Sequence, residues 1–255
     1  MSYLIEIITF IFGLCIGSFL NVCIFRLPAG KSIVHPPSAC PGCGVSIRFY
    51  DNIPVLSYIF LRGRCRNCSA PIAFRYVLVE LLAGALAVCT YIRFDLSIEG
   101  AIYYAFIAAL LVITFIDIDH RIIPDIISLS GIPLGLAASF FIPSLRPVDS
   151  IIGLLAGGGI LYAVAWGYGL ITGKEGMGGG DIKLLAMIGA FIGWKGVLLT
   201  IFMASAIGTM AGVLVMLKTK KNMKLAIPFG PFLAIGAIIY IFFGNELIIW
   251  YWNVI

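Results

Sequence analysis

The sequence predicts an all-α polytopic membrane protein with about eight transmembrane helices and one long polar loop that carries four cysteines. Of its 255 residues, 61% are hydrophobic and 11% are charged, and the mean hydropathy is +1.08, whereas soluble domains carry about 25% charged residues. The apolar residues fall in long runs instead of being spread along the chain. Because a soluble fold of this size could not bury so much apolar surface, the expected solvent is a bilayer.

Eight charge-poor runs approach the roughly 20 apolar residues that a helix needs to cross the hydrocarbon. They cover residues 4–25, 77–92, 99–116, 126–143, 150–172, 184–194, 197–217 and 227–243. The first run is too long for the apolar core of a secretory signal and lacks a suitable cleavage site, so a retained first helix over residues 1–25 is expected. The sixth run is short and close to the seventh, which leaves open seven spans with one broken helix.

The basic residues predict the orientation of these helices. With eight crossings, the loops on one side hold fourteen Lys and Arg residues, and the loops on the other side hold only Arg93, Arg146 and Lys195. This positive-inside asymmetry places both termini outside and the loop of residues 26–76 in the cytoplasm. Seven crossings would place the lysines at 218–224 on the side that otherwise holds few basic residues, against the positive-inside rule. The net charge of +5 is therefore explained by the basic loops on the cytoplasmic side of the membrane, and no nucleic-acid partner is predicted.

The loop contains a Cys-x-x-Cys pattern twice, with 21 residues between the pairs Cys40–Cys43 and Cys65–Cys68. Two residues between cysteines let both sulfurs reach one ion from a tight turn, and two such turns supply the four thiolates of a structural Zn²⁺. Disulfides or a redox site are the alternative, which a reducing cytoplasm disfavours. Since four thiolates close the coordination sphere, the ion would order the loop and not catalyse. We therefore expect a cytoplasmic zinc-binding loop domain.

Carboxylates at membrane depth are costly and point to function. Two clusters on the predicted cytoplasmic side carry them, one over residues 117–125 and one over residues 176–183. Two aspartates that meet around one water molecule share a proton, so one can accept a proton from the water while the other donates to a carbonyl oxygen. Such a pair, drawn here from Asp117 and Asp181, hydrolyses a peptide bond without a metal. The glycines before Asp181 would let a substrate backbone approach.

Other charged residues have ordinary interpretations beside the functional ones. Asp119 is two residues from Asp117, about 200° around a helix, so the two cannot share a face. Asp125 begins the fourth span, where capping the helix is its expected role. Lys183 either pairs with an aspartate of the catalytic pair or extends to the lipid headgroups. Glu80 is either a helix-end charge or part of a cofactor site.

Taken together, these motifs resemble those of the bacterial prepilin peptidases, also called type IV leader peptidases, of the GxGD aspartic protease class. The resemblance runs almost end to end, and the order and spacing of the motifs make it specific. It rests on Gly17-Ser18-Phe19-Leu20-Asn21-Val22, Arg26-Leu27-Pro28, the two Cys pairs, Asn52-Ile53-Pro54, Ser57-Tyr58, Arg75-Tyr76, Glu80, the Asp117 to Asp125 cluster, Gly173 to Leu185, and Ile227-Pro228-Phe229-Gly230-Pro231.

The resemblance implies a catalytic pair, Asp117 and Asp181, the latter ending the Gly-x-Gly-Asp motif. It gives supporting roles to Asp119, Asp125, Gly178, Gly180 and Lys183. It further implies three parts of the chain: a first transmembrane helix over residues 1–25, a zinc-binding loop domain over residues 26–76 that is associated with methyl transfer, and a transmembrane aspartic peptidase domain over residues 77–255.

The implied enzyme is a bacterial inner-membrane endopeptidase that cleaves the leader of type IV prepilins and pseudopilins on the cytoplasmic side, after a glycine. Such substrates carry a basic leader before an apolar helix, which can lie in the lipid bilayer beside the enzyme. Many members of the family also methylate the new N-terminus with S-adenosylmethionine, so a bifunctional enzyme is expected. The sequence does not indicate which residues bind that co-substrate.

Two other classes of protein compete with the enzyme. A polytopic membrane transporter with a metal-binding regulatory loop would need acids near the centres of spans or an inverted repeat. Here the acids cluster at one interface, and no such repeat is visible. A non-catalytic scaffold that only docks pilins would tolerate the loss of Asp117 or Asp181, which the enzyme would not.

Overall fold

The computed structural model describes residues 2–173, 178–219 and 228–254, and this part of the chain is built from α-helices. The helices are α1 (Ser2–Arg26), α2 (Leu56–Phe60), α3 (Arg75–Phe94), α4 (Ile98–His120), α5 (Asp125–Ala138), α6 (Pro147–Thr172), α7 (Gly179–Thr219) and α8 (Gly230–Val254). A short 3-10 turn covers Phe49–Asp51. Strand-like pairing within the described residues is limited to two isolated bridges in the polar loop.

Six of these helices are long and apolar enough to cross a membrane, and α5, with 14 residues, is a shorter apolar helix. At 41 residues, α7 would extend about 60 Å if straight, which is twice the roughly 30 Å thickness of a hydrocarbon core. It is instead broken at Gly193, where φ is 72° and ψ is 177°. L side chains rarely adopt this backbone conformation, and glycine adopts it at little cost.

The chain bends sharply at this glycine. Residues eight apart on a straight helix are separated by about 12 Å along the axis, yet the Val197 side chain lies 2.9 Å from the place where Gly189 would carry a Cβ. Residues 179–192 and 194–219 therefore form two helical segments that meet at the bend. Together with α5 and the five other long helices they make eight apolar helical segments in the described part of the chain. This agrees with the predicted all-α membrane fold of about eight helices.

Some helix ends differ from the predicted runs. α4 continues past residue 116 to His120, because a helix can carry charged side chains in its last turn, where they reach the membrane surface. α5 ends at Ala138, five residues before the predicted end, because the Phe141 and Ile142 amides both bond back to the Ala138 carbonyl and form a tight turn. The basic residues at positions 174 and 220–224 lie outside the described residues.

The contacts divide the chain into two compact units at Val112 and Ile113. The first unit contains α1, the polar loop, α3 and the first part of α4, with α1 packed along α3. The second unit contains the end of α4 and α5 to α8, and α7 packs against α5, α6 and α8. Fully buried side chains of α7 and α8, among them Leu184, Ile188 and Leu233, form the core of the second unit.

Small residues set how closely the helices approach within each unit. A Cβ on Gly17 of α1 would lie 2.6 Å from the Glu80 Cα of α3. A Cβ on Gly157 of α6 would overlap the Leu185 carbonyl oxygen of α7 and lie 2.8 Å from its carbon. Lipid tails are as apolar as leucine, so helices in a bilayer associate through such close packing and not through the hydrophobic effect.

Replacing Gly157 with alanine should destabilise the second unit, because the added methyl group must push α6 away from the α7 backbone. Overpacking of this kind costs about 1–3 kcal/mol. We expect a lower Tm for Gly157→Ala in a thermal unfolding experiment on the purified protein in detergent. Gly159→Ala is the matched control, since a Cβ there meets nothing within 4 Å; equal Tm values for the two variants would contradict this packing.

Candidate active site and metal centre

Asp117 lies in the last turn of α4 and is buried, with 5% of its surface exposed. Its Oδ2 accepts a hydrogen bond of 3.0 Å from the backbone N–H of Gly230. Because Gly230 begins α8, its N–H has no carbonyl partner within the helix, and the start of a helix favours a negative charge. A Cβ on Gly230 would lie 2.6 Å from the same Oδ2, so only glycine leaves room for this contact.

Asp181 lies half-buried in the first turn of α7, close enough to Asp117 for the two carboxylates to interact electrostatically. Ile123 packs between the start of α7, which carries Asp181, and the start of α8, whose first N–H binds Asp117. A Cβ on Gly180 would lie 3.1 Å from the Ile123 Cβ, and a Cβ on Gly230 would lie 3.4 Å from the Ile123 Cδ1. The fold thus brings two acids that are distant in the sequence to one region of the second unit.

Among the neighbouring charged residues, Asp119 lies as expected, whereas Asp125 and Lys183 do not. Asp119 is exposed while Asp117 is buried, as the helical spacing predicts. The predicted capping role of Asp125 is wrong, because the extended Pro124 occupies the N-cap position and makes no side-chain cap. The Asp125 carboxylate instead accepts hydrogen bonds of 2.8 and 2.9 Å from Lys183 Nζ.

Lys183 therefore pairs with Asp125 and not with an aspartate of the proposed pair. Its ion pair with Asp125 is solvent-exposed and adds little stability. The ion pair nevertheless joins the start of α5 to the start of α7, since Lys183 lies two residues after Asp181.

The four loop cysteines form a cluster in which all the sulfurs lie within 4.8 Å of one another. The Sγ atoms of Cys40 and Cys68 are 3.8 Å apart, which is the edge of a tetrahedron with metal–sulfur bonds of about 2.3 Å. None of the four cysteines forms a disulfide, and the gathering of all four sulfurs around one point favours a metal site over two separate disulfides. Cys40, Cys43, Cys65 and Cys68 therefore present a donor set that can hold a metal ion and suits zinc.

The two Cys pairs lie in turns of the same construction. In each turn the N–H of the first cysteine donates to the carbonyl five residues later, and the residue after the second cysteine has a positive φ. These features belong to Cys40, Val45 and Gly44 in the first turn and to Cys65, Ala70 and Ser69 in the second. An isolated antiparallel bridge closes each turn. The repeated geometry directs two sulfurs from each turn toward one point.

Nearby N–H groups lower the pKa of two of these cysteines, whereas the pKa of Cys68 is raised to about 11, because the Ala70 N–H, which lowers it, is outweighed by burial and by the neighbouring cysteines. The pKa of the Cys65 thiol is lowered to about 7, because the backbone N–H groups of Cys68 and Asn67 point at its sulfur. The pKa of Cys43 is also lowered, by the Val45 N–H and then by the Asn67 amide, whose Nδ2 lies 3.6 Å from the sulfur. The thiolate is the form that binds metal, so these contacts favour a bound ion.

Sequence reasoning missed three features. It gave no separate role to Gly230 or Ile123, although the start of a helix at Pro228-Phe229-Gly230-Pro231 is a signal for exposed N–H groups. It also left Glu80 as a possible helix-end charge, but this side chain is 8% exposed and its Oε2 accepts a 2.8 Å hydrogen bond from the Val55 N–H.

Two family models match the chain. Residues 11–94 match the bacterial peptidase A24 N-terminal domain, and residues 104–213 match the type IV leader peptidase family. The second match includes both Asp117 and Asp181.

Curated relatives match over nearly the whole chain and bear the name prepilin leader peptidase/N-methyltransferase. The protein from Pseudomonas putida is 37% identical and the match covers 96% of this chain and 93% of the relative. The protein from Aeromonas hydrophila is 37% identical, with 96% and 92% covered. The protein from Burkholderia pseudomallei K96243 is 36% identical, with 92% and 84% covered.

No solved structure gives a significant match to this fold. The relatives support the peptidase interpretation and not the transporter. With two family models in the expected order and relatives of 36–37% identity across most of their length, this chain belongs to the type IV leader peptidase family.

Proposed function

We propose that this protein is a membrane aspartic endopeptidase that removes the leader of type IV prepilins and pseudopilins, after a glycine, and then N-methylates the new N-terminal residue. The observation that carries the proposal is the placement of Asp117 and Asp181 in one region of the second unit, with Asp117 oriented by the Gly230 amide. The names of the relatives support the pairing of the two activities.

In the proposed mechanism, one carboxylate of the pair takes a proton from a water molecule, whose oxygen attacks the scissile carbonyl carbon. The other donates its proton to the carbonyl oxygen. Collapse of the tetrahedral intermediate breaks the C–N bond, and the leaving nitrogen receives a proton from the pair. Because the Gly230 N–H fixes one oxygen of Asp117, it also fixes the direction of the other, which reduces the cost of aligning the carboxylate with the water.

The supporting residues act on the position of the pair. Gly178 and Gly180 have no side chains that would obstruct a substrate backbone near Asp181. The Lys183–Asp125 ion pair holds α5 against the start of α7. Asp119 adds an exposed acid at the end of α4, on the side predicted to meet a basic leader.

We infer that the protein lies in the bacterial inner membrane with its termini outside and its active site toward the cytoplasm, as the basic residues favour. Residues 1–25 then form the first transmembrane helix, residues 26–76 the zinc-binding loop domain linked to methyl transfer, and residues 77–255 the aspartic peptidase domain. The substrate helix would lie in the bilayer, with its basic leader directed to the cytoplasmic carboxylates.

We further propose that Zn²⁺ occupies the four-cysteine centre as a structural ion. The donor set and the 3.8 Å sulfur separation support zinc, and four thiolates leave no coordination position for a reacting water. S-adenosylmethionine is proposed as the methyl-donating co-substrate, because N-methyltransferase appears in the names of the relatives.

Asp117→Asn and Asp181→Asn should each reduce leader cleavage by at least about 100-fold, because general acid–base groups contribute about 10²–10⁴-fold. The assay is cleavage of a purified prepilin by the detergent-solubilised variants, followed by mass spectrometry. Asp95→Asn is the control, since this exposed aspartate lies in the first unit and the substitution changes the charge with almost no change in shape. Wild-type cleavage by either Asp117→Asn or Asp181→Asn would eliminate the proposed pair.

Gly230→Ala should lower kcat for cleavage roughly 10- to 100-fold, because the added Cβ would lie only 2.6 Å from Asp117 Oδ2 and would displace the carboxylate from its hydrogen bond with the amide. The KM for the prepilin should change less, since the substitution moves a reacting group and not a docking surface. Gly159→Ala serves again as the control for an added methyl group in a helix. An unchanged kcat in Gly230→Ala would show that the amide contact does not orient Asp117 during catalysis.

Metal analysis of the purified protein should find about one zinc per chain. Cys40→Ser together with Cys65→Ser should remove it, because each change takes one ligand from a different turn. Cys15→Ser together with Cys89→Ser is the matched control, since both cysteines lie in helices outside the cluster. A wild-type protein purified without chelator that contains no zinc would contradict the assignment.

A further inference from the structure

Glu80 is a buried carboxylate in the first unit that takes no part in the proposed peptide hydrolysis. It lies in the second turn of α3, against the α1 backbone at Gly17. Its described contacts come from neutral groups, the Val55 N–H at 2.8 Å and the Ser18 hydroxyl. Neutral donors lower the cost of burying a carboxylate but do not cancel its charge, so the site retains an attraction for a cation.

The loop adopts a strained conformation to reach this carboxylate. Val55 has φ 61° and ψ −50°, and the N–H of Leu56 bonds back to the Pro54 carbonyl at 2.6 Å, which makes a γ-turn of the rare positive-φ kind. For a β-branched residue this conformation is an outlier that costs of order 1–3 kcal/mol. The turn aims the Val55 N–H at Glu80, and strain kept at such a point is typical of functional sites.

A series of hydrogen bonds connects this turn to the cysteine cluster. The buried Ser57 hydroxyl accepts from the Ile53 N–H at 2.9 Å and donates to the Tyr50 carbonyl at 3.1 Å. The adjacent Asp51 accepts hydrogen bonds of 2.7–3.1 Å from Arg66, which lies between the cysteines of the second turn. This ion pair holds the pKa of Asp51 below its usual range. The second cysteine turn therefore braces the segment that orients Glu80.

The chemistry of methyl transfer explains why a carboxylate is needed. The new N-terminus of a cleaved substrate is an α-amine with a pKa of about 7.7–8.0, so near pH 7 most of it is a cationic ammonium without a nucleophilic lone pair. A buried carboxylate can attract this ammonium and remove one proton from it. No residue described above supplies this function in the first unit.

We propose that Glu80, oriented by the Val55 N–H and braced by the cysteine loop, is the base of the methyl-transfer site. This inference rests on the proposed function, since it assigns a residue to its second activity. The Glu80 carboxylate takes one proton from the substrate ammonium, and the freed nitrogen lone pair forms a bond to the methyl carbon of the sulfonium donor. The carbon–sulfur bond breaks with its electron pair left on sulfur, which gives a thioether, a methylated ammonium and protonated Glu80.

The test uses the full-length protein in detergent, S-adenosylmethionine with a labelled methyl group, and a pilin whose leader has already been removed. Glu80→Gln keeps an oxygen that can accept the Val55 N–H but cannot take the proton. We expect its methyl transfer to fall about 100-fold at pH 6.5 and to recover to within a few-fold of wild type at pH 9, where bulk water has already deprotonated the amine. Glu6→Gln, another glutamate of the first unit, is the matched control and should methylate as wild type does.

Two results would overturn the assignment: wild-type methylation by Glu80→Gln at pH 6.5, or a deficit that stays the same at pH 9, which would make Glu80 only a structural tether. Glu80→Asp keeps the charge and covers the case in which the glutamine variant misfolds. It should retain reduced methyl transfer with the wild-type pH profile, and complete loss at every pH would reject the proposal. Failure of the wild-type protein to cleave an intact prepilin would instead overturn the proposed function.

Discussion

The cost of placing a carboxylate among apolar helices is the constraint on which the two proposed sites of this protein depend. In each unit a buried acid accepts a hydrogen bond from a backbone N–H that another segment supplies: Gly230 for Asp117 and Val55 for Glu80. Both donors lie where a helix begins, and the first N–H groups of a helix have no carbonyl partners of their own. The same hydrogen bond gives the backbone N–H an acceptor and fixes the orientation of the carboxylate.

This arrangement explains why the two donors are unusual positions in the chain. Gly230 must lack a side chain because any Cβ would collide with the carboxylate it binds. Val55 must adopt a strained turn, and the surrounding loop stabilises that turn through Ser57 and through the ion pair between Asp51 and Arg66. A structural metal in the four-cysteine cluster would supply rigidity that a loop without a large apolar core cannot provide by itself.

The predictions that succeeded depended on local patterns. Apolar runs located the helices, and the Cys-x-x-Cys spacing identified the four sulfurs that gather into one cluster. The predictions that failed depended on partners remote in sequence. Asp125 is not the N-cap of α5, a position that Pro124 occupies, and its carboxylate pairs instead with Lys183 of α7. Of the two interpretations of Glu80, the helix-end charge does not fit, because the side chain is buried and binds the Val55 N–H, while a role in a cofactor site stays a prediction.

The sequence by itself determined the membrane class, the number of apolar segments and the chemistry available at the candidate sites, because these follow from composition and short-range spacing. Only the tertiary structure decided which backbone amide orients Asp117, where the chain bends at Gly193, and that Ile123 packs between the starts of α7 and α8. These features arise from close packing between helices. A hydropathy pattern records that a face is apolar, but it does not record which atoms will meet across it.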